Sequence, residues 1–198
     1  THLHFDHCGG SITREADKLV PAFKNAHYWS HSRHWKWATE PNDREKASFL
    51  KENILPIQES GRLRFVDQEY AADQKTGADC GGAGEPGRLR DVILPGISVR
   101  LAEGHTAAMM LPQLSYRGRT VVFMADLLPS MGHFPQPYVM AYDMFPLTTM
   151  QEKKAFLEDA AAGGYVLFFE HDPGTECCIP ERTDKGVRPG KGFRLAEL

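Results

Sequence analysis

The sequence lacks three features that mark large classes of proteins: long apolar runs, clustered basic residues and paired cysteine motifs. No apolar run approaches the roughly 18 residues that cross a bilayer, so we predict no membrane partner. A formal charge of -3 is spread along 198 residues, without the basic patch that nucleic-acid binding requires. We therefore expect a small-molecule partner and no nucleic acid.

Cysteine is scarce, and its spacing excludes a zinc knuckle. The four cysteines are Cys8, Cys80, Cys177 and Cys178. Cys177 and Cys178 are adjacent and could not bridge each other without strain. Free thiols are typical of a reducing compartment, and the sequence therefore predicts a cytoplasmic protein.

The second half of the chain has a strand-rich pattern. With 41% hydrophobic residues, the chain can bury one core, and we predict one domain over residues 1–198. Short apolar runs predict strands at 91–94, 97–101, 109–116, 120–124 and 165–169. Arg117-Gly118 suits a hairpin turn between two of them. The glycine-rich segment 77–87 predicts a surface loop without chemistry.

Three helices are also expected, two before these strands and one before the last of them. The first would start just after Gly9 and Gly10, at Ser11, and the second would cover 41–60, with Asn42 or Asp43 as its cap and Gly61 as its stop. A third helix would begin at Thr148 or Thr149, with Glu152 completing a capping box, and would end at Gly163-Gly164. Strands alternating with helices predict a layered α/β fold.

The candidate chemistry is concentrated at the start of the chain. His2, His4, Asp6 and His7 place three imidazoles and a carboxylate within six residues. Residues two apart in an extended segment point to the same side, so His2 and His4 could converge on one ion. Asp6 and His7 could then reach a second ion. Gly9 and Gly10 would let the backbone turn tightly after these ligands.

The segment HLHFDH resembles the HxHxDH signature of the metallo-β-lactamase superfamily. The remaining residues of that pattern follow downstream as His105, Asp126 and His171. Each of the three comes just after a predicted strand. Ligands at strand ends can converge while the strands fix their positions.

This resemblance implies an αββα sandwich that lacks its N-terminal strands in this chain, which then looks N-terminally incomplete. It also implies two divalent metal ions. His2, His4 and His105 would bind one ion, Asp6, His7 and His171 the other, and Asp126 would bridge them. Zinc is the default metal in this family and suits nitrogen ligands, while iron, manganese and cobalt stay open.

The family also implies a hydrolase that attacks its substrate with a metal-bridging hydroxide. Asp6 would be the catalytic residue that orients the hydroxide and passes a proton to the leaving group. The segment from Ala125 to Pro146 most resembles quorum-quenching N-acyl-homoserine lactonases and related organophosphate hydrolases. We expect lactone opening, with phosphotriester hydrolysis or another ester or thioester hydrolysis as alternatives. A non-catalytic binding module would have lost ligands, and none is lost.

Substrate contacts are harder to derive from the sequence. Some lactonases carry a tyrosine three residues after the bridging aspartate, where this chain has Pro129. Tyr142, His133 or Ser130 could take its place, although Tyr142 could equally serve packing. Phe134 is a candidate wall of an apolar pocket.

The aromatic segment 26–38 also carries His27, His31 and His34. The motif already completes a two-metal site, so we do not expect a third metal there. Its tryptophans, Trp29, Trp35 and Trp37, predict a lid or a homodimer surface.

Overall fold

A computed structural model of the chain describes residues 1–67 and 89–198. The chain divides into two compact units. Unit 1 comprises Thr1–Gly82 and Ala107–Met109, and unit 2 comprises Ala83–Thr106 and Met110–Leu198. The predicted loop over 77–87 lies outside the described residues, and the single domain stays a prediction.

Unit 1 consists of short elements. Its helices are α1 (Phe5–Cys8), α2 (Ser32–Thr39) and α3 (Lys51–Glu59). Its strands are β1 (Ile12–Glu15), β2 (Lys18–Pro21), β3 (Tyr28–Ser30) and β4 (Leu63–Phe65). Strands β1 and β2 pair antiparallel, and β3 and β4 pair parallel. The unit packs around a buried cluster formed by Leu3, Cys8, Trp35, Ala38, Phe49, Ile54 and Ile57.

The helix expected from Ser11 is wrong, because this segment is the β1–β2 hairpin. The β-branched residues Ile12 and Thr13 favour a strand. Ala16 takes a positive φ of 51° at the turn. Neither Gly9 nor Gly10 takes a positive φ, so the motif's turn does not require glycine's conformational freedom.

The helix expected over 41–60 is shorter than predicted and begins only at Lys51. Asn42 caps a tight turn instead: its side-chain oxygen accepts the backbone N–H groups of Arg44 and Glu45. The predicted stop is confirmed, since Gly61 has a φ of 71° just after α3. Asn42 therefore caps a turn at the predicted position, but the predicted helix does not begin there.

Unit 2 carries the main sheet. Its strands are β5 (Leu89–Leu94), β6 (Ile97–Ala102), β7 (Met109–Tyr116, all but Met109 in unit 2), β8 (Arg119–Phe123), β9 (Val166–Phe168) and β10 (Cys177–Cys178). They form one six-stranded sheet in the order β10-β9-β8-β7-β6-β5, in which β8 and β9 run parallel. The predicted strands and the Arg117-Gly118 turn are confirmed. A separate hairpin pairs β11 (Pro180–Thr183) with β12 (Gly186–Pro189).

The long helix of unit 2 is α4 (Pro146–Gly163). It begins earlier than the predicted threonine caps, because Pro146 at its first turn has a φ already suited to a helix. Glu152 therefore forms no capping box and bonds elsewhere. Gly164, with a φ of 60°, ends the helix as predicted.

The cysteines within the described residues, Cys8, Cys177 and Cys178, are free and buried, as expected. In the part of the chain that the structure describes, no helix is both long and apolar enough to cross a membrane.

Candidate metal centre

The ligands predicted from the N-terminal motif are called the N-terminal ligand set, and they lie in unit 1: His2, His4, Asp6 and His7. The Nε2 atom of His2 is 3.0 Å from the Nδ1 atom of His4. The rings of His2 and His7 lie with their centroids 4.0 Å apart. His2 and His4 are buried, while Asp6 is exposed and its carboxylate lies 3.7 Å from His7 Nε2. Three imidazoles are therefore grouped beside a carboxylate that is exposed to solvent.

The backbone around Leu3 is fixed from two sides. Its N–H donates to His34 Nε2 over 2.8 Å, and its carbonyl accepts from the Cys8 thiol over 3.3 Å. His34 is fully buried and also bonds the carbonyl of Ala107 over 2.7 Å. Burial lowers the pKa of His34 to about 3, so this imidazole is neutral and can accept the Leu3 N–H.

A buried glutamate contacts the N-terminal ligand set. Glu45 Oε1 lies 2.9 Å from His4 Nε2, and Trp37 Nε1 donates to Glu45 Oε2 over 2.5 Å. The side-chain amide of Asn42 also lies near Oε2, at 3.4 Å. Sequence analysis did not identify Glu45, because it lies 41 residues from His4 and no local spacing connects them.

The other predicted ligands are called the strand-end ligand set, and they lie in unit 2: His105, Asp126 and His171. These residues follow β6, β8 and β9, as the sequence predicted. Asp126 Oδ2 is 3.0 Å from His105 Nε2, and Asp126 Oδ1 is 3.2 Å from His171 Nε2. One carboxylate therefore faces a different histidine with each of its oxygens.

Helix α4 and the segment before it fix the turn that carries His105. Glu152 accepts the N–H groups of Glu103 and Gly104 over 2.8 and 3.0 Å. A side chain on Gly104 would place Cβ 2.3 Å from the backbone nitrogen of Thr149, so only glycine allows this approach. Burial raises the pKa of Glu152 to about 6, although the two backbone donors oppose that shift.

His105 has a carboxylate at each ring nitrogen. Asp143 Oδ1 lies 2.9 Å from Nδ1, on the side opposite Asp126. Burial alone would lower the pKa of His105, but its hydrogen bonds to Asp126 and Asp143 raise it to about 9. Asp143 was missed in the sequence for the same reason as Glu45: it lies 38 residues from the histidine it contacts.

The donor chemistry of both sets suits a metal ion, and the described residues include histidine and aspartate groups able to hold one. Two nitrogens that share a tetrahedral zinc ion at about 2.0 Å each lie roughly 3.3 Å apart. The 3.0 Å separation of His2 Nε2 and His4 Nδ1 is close to that value. Imidazole nitrogens and carboxylate oxygens are ligands that zinc accepts.

The predicted substrate residues lie in unit 2 and stay predictions. His133 is half-buried, with Nδ1 2.8 Å from Ser130 Oγ. Phe134 is buried against Phe169. Tyr142 is 77% exposed, so the packing alternative considered for it is wrong.

The aromatic segment 26–38 differs in part from its prediction. Trp35 is buried in the core cluster of unit 1, so it cannot form a lid or a dimer surface. Trp29 and Trp37 are half-buried. His34 bonds two backbone groups, and His31 accepts the Arg33 N–H at the start of α2. Both histidines therefore have structural partners.

Comparison with known proteins identifies the fold through structure alone. No family model and no curated protein matches the sequence. A probable metal-dependent hydrolase from Staphylococcus aureus is 22% identical, with a TM-score of 0.74 over all of this chain and 61% of its own. AidC, a dizinc quorum-quenching lactonase in complex with a product, is 18% identical, with a TM-score of 0.72 over 97% of this chain and 63% of its own.

A third similar structure is the hydrolase AbOPH of the β-lactamase superfamily. It is 19% identical, with a TM-score of 0.68 over 98% of this chain and 63% of its own. The chain thus spans about three fifths of the length of these structures. The predicted layered α/β fold of metallo-β-lactamase type is confirmed.

Proposed function

We propose that the protein is a dinuclear metal-dependent hydrolase that opens the lactone ring of N-acyl-homoserine lactones. The observation that carries this proposal is the geometry of Asp126, whose two carboxylate oxygens face His105 and His171 separately. A carboxylate in this position is suited to bridge two ions, as in hydrolases that hold two metals about 3.5–4 Å apart.

The N-terminal and strand-end ligand sets are proposed to bind one pair of ions. His2, His4 and His105 would hold the first ion, and Asp6, His7 and His171 the second, with Asp126 shared. The close approach of His2 Nε2 and His4 Nδ1 supports a common ion for these two. Five nitrogen donors among seven ligands favour zinc over magnesium or calcium.

When bound, two divalent ions lower the pKa of water toward neutrality and polarise the substrate carbonyl. Within the N-terminal ligand set, Asp6 is the residue proposed to handle protons, because its carboxylate is exposed and 3.7 Å from His7 Nε2. Asp6 accepts a proton from the attacking water. It then returns that proton to the ring oxygen that leaves when the ester bond breaks.

A lactone is favoured as the substrate because the chain's fold resembles that of AidC, a quorum-quenching lactonase. The tyrosine of some lactonases is replaced here by Pro129, and three groups could donate to the carbonyl instead. One is the exposed hydroxyl of Tyr142, and the others are the Ser130 hydroxyl and the His133 ring, whose Oγ and Nδ1 atoms lie 2.8 Å apart. Phosphotriester hydrolysis would use the same ligands and is the alternative that activity must separate.

The buried free cysteines support a cytoplasmic location, because oxidising compartments favour disulfides.

The test is pH-stat hydrolysis of short- and long-chain acyl-homoserine lactones by zinc-loaded protein, with a phosphotriester in parallel. Acid release from the lactones that a chelator removes would support the proposal. Turnover of the phosphotriester alone would replace the lactonase with the alternative. Hydrolysis that persists after complete metal removal would contradict the metal-dependent mechanism itself.

A further inference from the structure

We propose that Glu45 is a positioning residue that holds the proton of His4 on Nε2 and so leaves Nδ1 as the nitrogen that binds metal. The inference rests on the proposed function, since it assigns a role within the N-terminal ligand set. The juxtaposition that carries it is a buried carboxylate 2.9 Å from the outer nitrogen of a proposed ligand.

A neutral imidazole has one N–H and one lone pair. Glu45 as a carboxylate can only accept hydrogen bonds, so His4 Nε2 must donate to it. The lone pair of His4 then lies on Nδ1, the atom 3.0 Å from His2 Nε2. Glu45 therefore sets the tautomer in which the two imidazoles can share an ion.

The carboxylate itself is held in place by a second donor. Glu45 is 3% exposed, and its other oxygen accepts the indole N–H of Trp37. Indole nitrogen is a donor only, so Oε2 accepts from Trp37, with the Asn42 amide as a longer second donor, and Oε1 faces His4. The Asn42 side chain accepts the Glu45 backbone N–H over 3.1 Å and fixes the turn. Both carboxylate oxygens of Glu45 must therefore act as hydrogen-bond acceptors.

Unit 2 repeats the arrangement with the opposite ring nitrogen. Asp143, 2% exposed, faces Nδ1 of His105 and leaves Nε2 toward Asp126. Histidine ligands in proteins commonly bond a carboxylate through the nitrogen that is not bound to metal. Two proposed ligands in separate units therefore show the same relation to a buried carboxylate outside the motif.

The sharpest test is Glu45→Gln, because glutamine has one oxygen where two acceptors are required. If that oxygen faces Trp37, the amide NH₂ faces His4 Nε2 and favours the Nδ1–H tautomer. The double variant Glu45→Gln/Trp37→Phe removes the short donor, Trp37, and leaves only the Asn42 amide at 3.4 Å, so the glutamine oxygen can turn back to His4. Trp37→Phe alone is the matched control.

Two readouts are taken on each protein. Long-range ¹H–¹⁵N spectra of metal-free, ¹⁵N-histidine-labelled protein report the tautomer of His4, and competition with a chromophoric chelator reports zinc affinity. We expect the Nε2–H tautomer in the wild type and in Trp37→Phe. In Glu45→Gln we expect the Nδ1–H tautomer to appear and zinc affinity to fall about 10–100-fold. In the double variant, the tautomer and most of the affinity return.

Such a rescue by the double variant would show that Glu45 positions His4 rather than only stabilising the fold. If Glu45→Gln merely destabilised the fold, removal of a second buried contact could not restore zinc affinity. An Nδ1–H tautomer in the wild type, or a Glu45→Gln protein unchanged in both readouts, would overturn the inference. Zinc binding and the expected tautomers without hydrolysis of any ester would contradict the proposed function and leave the inference standing. A wild type that binds no zinc would overturn both.

Discussion

The two ligand sets are built in different ways. The N-terminal ligand set comes from one continuous segment, and its geometry follows from an extended stretch that turns into α1. The strand-end ligand set comes from three separate strand ends of one sheet, and Asp126 connects its two histidines. The first set thus depends on local backbone conformation, whereas the second depends on the fold of the whole unit.

The supports of the two sets differ as well. In unit 1 a neutral histidine, His34, holds the backbone between His2 and His4. In unit 2 a carboxylate, Glu152, holds the backbone before His105. The two sets share one feature, a buried carboxylate beside a histidine: Glu45 beside His4 and Asp143 beside His105. A short motif can therefore be recognised from the sequence, whereas the distant residues that hold it in place cannot.

The substitution Asp126→Asn should cause the greatest loss of activity, because this carboxylate is proposed to bind both ions. In Asp126→Asn the side chain keeps its shape but loses the charge that would bridge the ions, so we expect kcat to fall by at least about 10³-fold, with fewer than two zinc ions retained. Metal analysis and pH-stat rates measure this change. Asp184→Asn, at an exposed position, is the matched control. Two tightly held ions in an active Asp126→Asn protein would contradict a bridging role for Asp126.

The second prediction compares one glycine beside each set. Gly104→Ala would place Cβ 2.3 Å from the backbone of Thr149, whereas Gly10→Ala meets nothing within 4 Å. We expect Gly104→Ala to lower the free energy of unfolding by about 2–3 kcal/mol and Gly10→Ala to change it by under roughly 1 kcal/mol. Urea unfolding of the metal-free proteins measures both. Equal effects at the two glycines would contradict the proposed difference between the sets.

The stability of the metal-free protein should fall in acid because of His34. The folded pKa of His34 is lowered to about 3, so between about pH 6.5 and pH 3 the unfolded chain binds a proton that the folded chain does not. The contribution of His34 to stability is complete above pH 6.5 and is lost as the pH falls. We expect the metal-free protein to lose roughly 2 kcal/mol between pH 7 and 5 from this group.

The check is urea unfolding of metal-free wild type and His34→Gln at both pH values. The variant should be less stable at pH 7, because His34 bonds two backbone groups, but its stability should depend less on pH. A wild type and a variant with the same pH dependence would show that His34 is not the acid-sensitive support of unit 1.

The substitution Tyr142→Phe should have the least effect, and it distinguishes a contact with the substrate from a role in stability. Because its side chain is 77% exposed, Tyr142→Phe should leave the thermal midpoint unchanged. If its hydroxyl donates to the substrate carbonyl, kcat/KM should fall about tenfold, which corresponds to the net worth of one hydrogen bond. An unchanged kcat/KM would transfer this role to Ser130, and Ser130→Ala would test that.

The sequence was sufficient for the strands that carry His105, Asp126 and His171, because apolar runs bounded by turn residues are local signals. It was insufficient for the β1–β2 hairpin, where Thr13, Glu15 and Ala16 fit a helix or a strand and tertiary packing decides. The start of α4 was misplaced because two threonines resemble caps, while Pro146 begins the helix.

The supports of the site could not be predicted for a different reason. Glu45 and Asp143 reach their histidines across 41 and 38 residues, and a glutamate or aspartate in an unremarkable segment gives no local indication of its partner. Only a folded chain brings such pairs together, and nothing in their sequence context distinguishes them from the chain's other acidic residues.

Both ligand sets are proposed to bind one pair of ions. Electron paramagnetic resonance of the protein loaded with two equivalents of Mn²⁺ tests this claim most directly, because a shared carboxylate couples the two metal spins. We predict the multiline spectrum of an exchange-coupled pair, which Asp126→Asn should abolish. Two independent mononuclear signals in the fully loaded wild type would contradict the claim and leave each set with an ion of its own.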